Sequence, residues 1–192
     1  MSAVGILGGT FDPIHLGHLI TAQSLLEIRK LEKIIFIPSY ISPHKTDQEI
    51  TGEKHRLKML ELATEENKFF EISDIELSEG SVSYTVDTLE KLSKKFKKIE
   101  LIIGLDNLLD FHNWKNPDRI IELAKLVVLK KRIDDNKVNK NKYYRAAEFI
   151  DTPLIEISSS EIRERVKNKL PINYLVPEKV KEHILRNKLY KE

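Results

Sequence analysis

Residues 8–18 read Gly8-Gly9-Thr10-Phe11-Asp12-Pro13-Ile14-His15-Leu16-Gly17-His18, and they follow directly on Val4–Leu7, a short apolar run with strand character. The Gly pair lets the chain turn tightly and bring its backbone against a ligand with no β-carbon in the way. A helix is expected to start near Leu16–His18. Its free N–H groups and positive dipole end favour an anion there by about 0.3–1 kcal/mol, and up to ~2 kcal/mol when partly buried. His15 and His18 are three apart, hence on one helical face, and Gly17 between them is expected to leave that face open to a bulky phosphate. A strand-to-helix turn carrying two incidental histidines is the plainer alternative. Two imidazole donors and one helix end aimed at the same place favour a phosphate-binding turn.

Working outward, further runs with strand character occur at Ile34–Ile37, Phe69–Ile75, Leu101–Ile103, Leu126–Leu129 and Leu154–Ile157. Helical spacing links Ala22, Leu25, Leu26 and Arg29, then Leu57, Leu60 and Ala63, then Val86, Leu89, Leu92 and Phe96, then Ile120, Ile121 and Ala124. Asn116-Pro117 marks one helix start, Ser158 with Glu161 matches a capping box, and Pro177 opens a last amphipathic helix through Val180, Ile184 and Leu185. Strand and helix alternate throughout. The expected fold is therefore α/β: a Rossmann-like, doubly wound, mostly parallel sheet with helices on both faces and its ligands at the carboxyl ends of the strands.

The 192 residues, 41% of them hydrophobic, suit one domain spanning residues 1–192, with the helical part from about residue 158 to 192 packed on the rest. Lys plus Arg total 32 against 30 Asp plus Glu, for a net charge of +2, so no overall field draws the chain to nucleic acid or to an anionic membrane. The basic stretch 130–145 contains Asp134 and Asp135 and reads as a solvated loop and helix start. Cysteine is absent, which excludes a Cys-based zinc site and a thiol nucleophile. The N-terminal segment lacks the features of a signal peptide, and no apolar stretch approaches the roughly 20 residues that a bilayer requires. A soluble, cytoplasmic protein acting on small molecules is expected, with a homo-oligomer left open.

Neither G-x-G-x-x-G nor G-x-x-x-x-G-K-[ST] occurs, nor does a nucleophile elbow or an H-E-x-x-H helix. A second anion-binding candidate is Ile157-Ser158-Ser159-Ser160-Glu161-Ile162-Arg163, where hydroxyls and helix N–H groups stand one turn ahead of Arg163. Taken alone it is a capped helix. It gains weight because the sheet topology can bring it beside the first turn.

Together the two segments resemble the paired signatures of the nucleotidyltransferase superfamily with an HxGH motif, and within it the nicotinate mononucleotide adenylyltransferases. Ser42-Pro43-His44-Lys45, Ser83-Tyr84-Thr85-Val86-Asp87-Thr88-Leu89, Ile103-Gly104-Leu105-Asp106-Asn107-Leu108 and Trp114 resemble the family's further motifs in order, so the resemblance spans nearly the whole chain. Ser160 departs from the family's more frequent Thr but keeps the hydroxyl. The resemblance implies transfer of the adenylyl group of ATP to the 5′-phosphate of nicotinate mononucleotide, with Mg²⁺ carried on the phosphates and no dedicated metal cage in the protein. It places Gly8, Gly9, Thr10, Phe11, His15, His18, Gly104, Asp106, Ser159, Ser160 and Arg163 around ATP. Of these His18, His15 and Arg163, with Lys45, would be catalytic. Around the mononucleotide it places Thr10, His44, Lys45, Tyr84, Thr85, Asp106 and Trp114. Plainer readings stay beside these: a core Trp114, Asp106 as a helix cap, Lys45 on a solvated turn. The rival functions are a related adenylyltransferase acting on nicotinamide mononucleotide or phosphopantetheine, and a non-catalytic nucleotide-binding regulator.

Overall fold

The computed structural model describes residues 2–41, 50–130 and 142–191. Six strands, β1 Val4–Gly9, β2 Lys33–Pro38, β3 Phe70–Ile72, β4 Ile99–Gly104, β5 Lys125–Leu129 and β6 Glu148–Ile150, form one sheet in the order β3-β2-β1-β4-β5-β6. Every neighbouring pair is parallel. Parallel neighbours need crossovers, and the helices that supply them are α1 Leu16–Ile28, α2 Glu53–Thr64, α3 Thr85–Leu92, α4 Leu105–Asp110, α5 Pro117–Leu123 and α6 Lys142–Ala146; α7 Ser159–Lys167 and α8 Glu178–Arg186 follow the last strand.

Alternation along the strands divides the core in two. Leu7, Ile34, Phe36, Ile102 and Val127 face Ala22, Leu25 and Leu26 of α1, Met59 and Leu60 of α2, Ile162 of α7, and Val180 and Ile184 of α8. Their neighbours in sequence, Ile6, Ile35, Ile37, Leu101, Ile103 and Val128, face Val86 and Leu89 of α3, Leu108 of α4, Ile120 of α5 and Tyr143 of α6. The sheet is thus buried on both faces, which is why its strands read as continuous apolar runs. At the amino end of the sheet, Arg29 grips Glu100 through Nε (2.9 Å) and Nη2 (2.8 Å) and also bonds Glu148, tying α1 to β4 and β6.

The last strand lies earlier than expected. Residues 148–150 pair with β5, whereas the expected strand Leu154–Ile157 has no regular structure and leaves Leu154 exposed. Pro153 has no N–H to give a ladder, and the run instead crosses over to deliver Ser158 to the start of α7. The expected strand 69–75 shortens to Phe70–Ile72, and Leu185 lies outside the buried stripe of α8. Ser158 caps α7 by accepting from the Glu161 N–H at 3.1 Å, and Pro177 precedes α8 as expected. The basic stretch falls mostly outside the described residues.

Candidate active site

The strand order reverses between β1 and β4, where the crossover from β1 leaves in one direction and that from β4 in the other; open sheets of this kind form their ligand crevice at such a point. A cavity of about 330 Å³ lies there, walled by Gly8, Gly9 and Thr10 after β1 and by Gly104 after β4. A β-carbon built on Gly8 or on Gly104 would meet nothing within 4 Å. The two glycines therefore open a slot between neighbouring strand ends through which a ligand can reach the backbone.

Beyond the slot the turn runs into α1, whose N-cap is His15. The His18 N–H donates to His15 Nδ1 (3.4 Å) and the His15 N–H to His18 Nδ1 (3.3 Å), a reciprocal box built from two imidazoles. Each ring accepts at Nδ1, so each neutral ring carries its proton on Nε2. The rings stack with centroids 3.6 Å apart, and the edge of Phe11 supports His18 at 5.2 Å. A β-carbon on Gly17 would come within 3.0 Å of His15 Nδ1. Gly17 is needed first to seat that imidazole, a closer constraint than the open face expected for a phosphate.

Burial lowers the His15 pKa to about 4, so near neutrality this residue is a hydrogen-bond donor and not a cation. The unfolded chain binds a proton at position 15 below pH 6.5 and the folded one only near pH 4. The neutral buried form therefore favours folding fully above pH 6.5, and that advantage is lost as the pH falls through this window. The loss amounts to about 3 kcal/mol in total at 1.4 kcal/mol per pKa unit. Denaturant titrations at pH 7 and pH 4.5 are expected to show a smaller drop in stability for His15→Asn than for the parent; equal drops would contradict the buried-neutral state.

The turn is held from three sides. From α7, Ser159 Oγ donates to Pro13 O (2.8 Å), Arg163 Nη1 to Asp12 O (2.7 Å), and Arg163 Nη2 to Ser160 Oγ (3.3 Å). The two anion-binding candidates of the sequence thus sit side by side, with helix starts at Leu16 and Ser159. From the C-terminal segment, Tyr190 OH donates to Asp12 Oδ1 (2.6 Å), while the Thr51 N–H donates to Asp12 Oδ2 (3.0 Å). Burial and the Asp12 carboxylate push the Tyr190 hydroxyl far above the ordinary tyrosine range, so it stays a donor. From α2, Arg56 is 2% exposed and donates to four carbonyls: Thr10 (2.9 Å), Ser39 (2.7 Å), Tyr40 (3.3 Å) and Thr51 (2.9 Å). A single planar guanidinium thereby ties the turn after β1 to the chain leaving β2.

The opposite wall of the cavity comes from α3 and from the segment after α4. Tyr84 is the N-cap of α3 and Thr85 its first residue, and both line the cavity with Trp114, Asn107 and Lys115. Trp114 is half-buried, packs on the core at Phe111 (5.0 Å) and also forms part of the cavity wall. Glu76 also lines this wall; its Oε1 accepts from Thr88 Oγ1 at 2.7 Å, and burial raises its pKa. Asp106 is exposed on the first turn of α4 and does not line the cavity, where its neighbour Asn107 does.

The structure therefore brings Gly8, Gly9, Thr10, Gly104, Tyr84, Thr85 and Trp114 around one cavity, and His15, His18, Ser159, Ser160 and Arg163 around the adjoining turn. Phe11 is placed differently from its expected contact with ATP: its ring is buried against Gly9, His18 and Phe36, so it supports the site from beneath. His44 and Lys45 lie outside the described residues. Sequence reasoning missed Arg56, Tyr190 and Lys115. Among the described residues no group of three or more His, Asp or Glu side chains could hold a metal ion, and no helix is long and apolar enough to cross a membrane.

A glycine-rich turn at the switch point of a parallel sheet, gripped by a second helix start, defines a class, and the chain belongs to the cytidylyltransferase-like family, whose model matches residues 6–165. Within that class its relatives are nicotinate-nucleotide adenylyltransferases by name. A "Probable nicotinate-nucleotide adenylyltransferase" of Dictyoglomus thermophilum is 44% identical over 97% of this chain and 98% of its own length. One of Clostridium tetani is 42% identical over 100% of both. Among solved structures, a Plasmodium falciparum nicotinic acid mononucleotide adenylyltransferase complexed with NaAD shares the fold, with a TM-score of 0.81 at 18% identity over 99% of this chain and 98% of that one. A putative nicotinate-nucleotide adenylyltransferase from Vibrio parahaemolyticus gives 0.72 at 20% identity, covering 99% and 96%.

Proposed function

We propose that the chain joins ATP to nicotinate mononucleotide. The 5′-phosphate oxygen of the mononucleotide forms a bond to the α-phosphorus of ATP, the bond from that phosphorus to the bridging oxygen breaks, and pyrophosphate leaves with nicotinate adenine dinucleotide as product. The observation that carries this reading is the continuity of the phosphate turn with the aromatic cavity: Gly8–Thr10 belong to both. A phosphate monoester with a second pKa of about 6 is mostly dianionic at pH 7, so the attacking oxygen needs no general base. The work left to the protein is alignment and neutralisation of charge, and hydrogen-bond donors suffice for it.

In this reading His18 Nε2 meets the α-phosphate and neutral His15 donates beside it. Ser159, Ser160 and Arg163 hold the β- and γ-phosphates, Gly104 gives the nucleotide backbone access, and Asp106 binds ribose hydroxyls near the rim. Lys45 and His44 complete the phosphate contacts. Mg²⁺ would be supplied with ATP, and the chemistry it would add is neutralisation of phosphate charge beside Ser159, Ser160 and Arg163.

Trp114 stacks on the pyridine ring, and the N–H groups at the start of α3 receive the ring carboxylate beside Tyr84 and Thr85. A hydrogen bond to a charged group contributes about 1.5–3 kcal/mol more than none, or about 10- to 150-fold in kcat/KM. Pyrophosphate release with ATP and Mg²⁺ is expected with nicotinate mononucleotide, at about 10 to 150 times the kcat/KM of nicotinamide mononucleotide, and not with phosphopantetheine. Equal constants for the two pyridine mononucleotides would overturn the helix-end account. ATP binding without turnover on any acceptor would instead favour a nucleotide-binding regulator.

A further inference from the structure

We infer that the Lys115 side chain is a specificity-determining residue of the acceptor cavity, where its ammonium selects pyridine mononucleotides bearing an anionic ring substituent. The inference rests on the acceptor proposed above. Lys115 is the one cationic residue lining the cavity among the described residues, and Glu76 is the one acidic residue lining it. With Lys115 removed, an incoming carboxylate would meet Glu76 and the start of α3 with no full positive charge among the described residues that line the cavity. Burial pushes the Glu76 pKa up, and its carboxyl is engaged by the hydroxyls of Thr88 and Ser83, which moderates the repulsion without supplying attraction.

The ammonium is also positioned. Lys115 Nζ sits 4.6 Å from the centre of the Tyr84 ring, the N-cap residue of α3, and bonds both oxygens of Asp87 at 2.8 and 3.1 Å. Its backbone is confined on both sides: the Trp114 N–H donates to Phe111 O, while Asn116 adopts φ 48 ahead of Pro117 at the start of α5. The amino group is thereby held at the helix start proposed to receive the carboxylate, on the residue that follows the indole proposed to stack on the pyridine.

A purely structural role, strapping α3 to the start of α5 through Asp87, is the competing account. Both partners are 43% exposed. Pairs exposed to this degree contribute little to stability, so sharing the ammonium with a ligand carboxylate costs the fold little. The strap account predicts that removing either partner has the same consequence; the specificity account predicts that they differ.

The experiment measures kcat and KM for nicotinate and nicotinamide mononucleotides, with melting temperatures, in the parent, Lys115→Met, Lys115→Arg and Asp87→Asn. In Lys115→Met, kcat/KM for the acid is expected to fall about tenfold, chiefly through KM, with less than about a twofold change for the amide. Lys115→Arg should restore most of the acid preference, and Asp87→Asn should keep or raise it. In the parent, KM for the acid should climb with added salt more steeply than KM for the amide, and Lys115→Met should flatten that difference. An acid-to-amide ratio unchanged in Lys115→Met, or lowered equally by Asp87→Asn, overturns the inference. If Lys115→Met does not fold, the parent's salt response and the Asp87→Asn ratio decide it by the same criteria. A parent that does not use nicotinate mononucleotide at all is a different failure, that of the acceptor itself.

Discussion

Alanine in place of His18 is expected to slow turnover at least about a hundredfold, with a melting temperature within a few degrees of the parent. A preorganised donor aimed at charge that develops in the transition state is worth about 3–4 kcal/mol where single donors have been removed. His18 is placed to be such a donor: its Nδ1 is occupied by the His15 N–H, its ring is sandwiched by His15 and edged by Phe11, and the proton on Nε2 has no freedom to wander. The fold should tolerate the change because alanine favours helix and the part-buried hydrogen bond from the His15 N–H is worth about 1 kcal/mol, lost together with the ring contacts to His15 and Phe11. Steady-state and single-turnover rates check the expectation, and a folded variant with near-parental kcat would remove His18 from the chemistry.

The second large effect falls on stability. Arg56→Met keeps the volume of a buried side chain but strips the donors from four buried or half-buried carbonyls and leaves the Asp12 carboxylate without the nearby guanidinium. Breaking a buried charged network typically costs about 3–5 kcal/mol. In a chain of this size that corresponds to a fall in Tm on the order of 10 °C. Lysine should rescue poorly, since its three donors radiate from one atom and cannot reproduce a planar fork serving four acceptors. Because Thr10 O and Ser39 O are among those acceptors, activity should fall at temperatures where the variant is still folded. A Tm within about 2 °C of the parent would show that water or a neighbouring donor satisfies those carbonyls instead.

The two variants also separate what could be read in the sequence from what could not. The turn at Gly8–His18 was legible because glycine and histidine declare themselves locally: the φ/ψ freedom, the spacing and the following helix lie within eleven consecutive residues. The sheet was legible because a strand buried on both faces must be apolar throughout. Arg56 was not, since an arginine at a helix start carries no mark of being buried, and its acceptors are backbone carbonyls that any residue supplies. Lys115 was hidden for a related reason: its relation to Tyr84 and Asp87 arises only when α3 and the start of α5 are packed side by side. The misplaced last strand has a local cause. Leu154-Ile155-Glu156-Ile157 has strand composition, but the pairing edge on β5 is already taken by Glu148–Ile150, and no pattern of hydropathy reports occupancy.

The bonds that fix the turn span the length of the chain. Arg163 reaches Asp12 across 151 positions and Tyr190 across 178, so the segment carrying the glycines is written first and shaped last. Closing loops of that length costs entropy before any contact repays it, and mean sequence separation of this kind slows folding. During synthesis the emerging turn would hold its full motif yet lack the Tyr190 bond to its Asp12 carboxylate and the Arg163 bond to its Asp12 carbonyl until the residues of α7 and beyond α8 are free to dock. Competence to bind polyphosphate should therefore appear abruptly and late in refolding, together with the final tertiary contacts, and not gradually with the sheet.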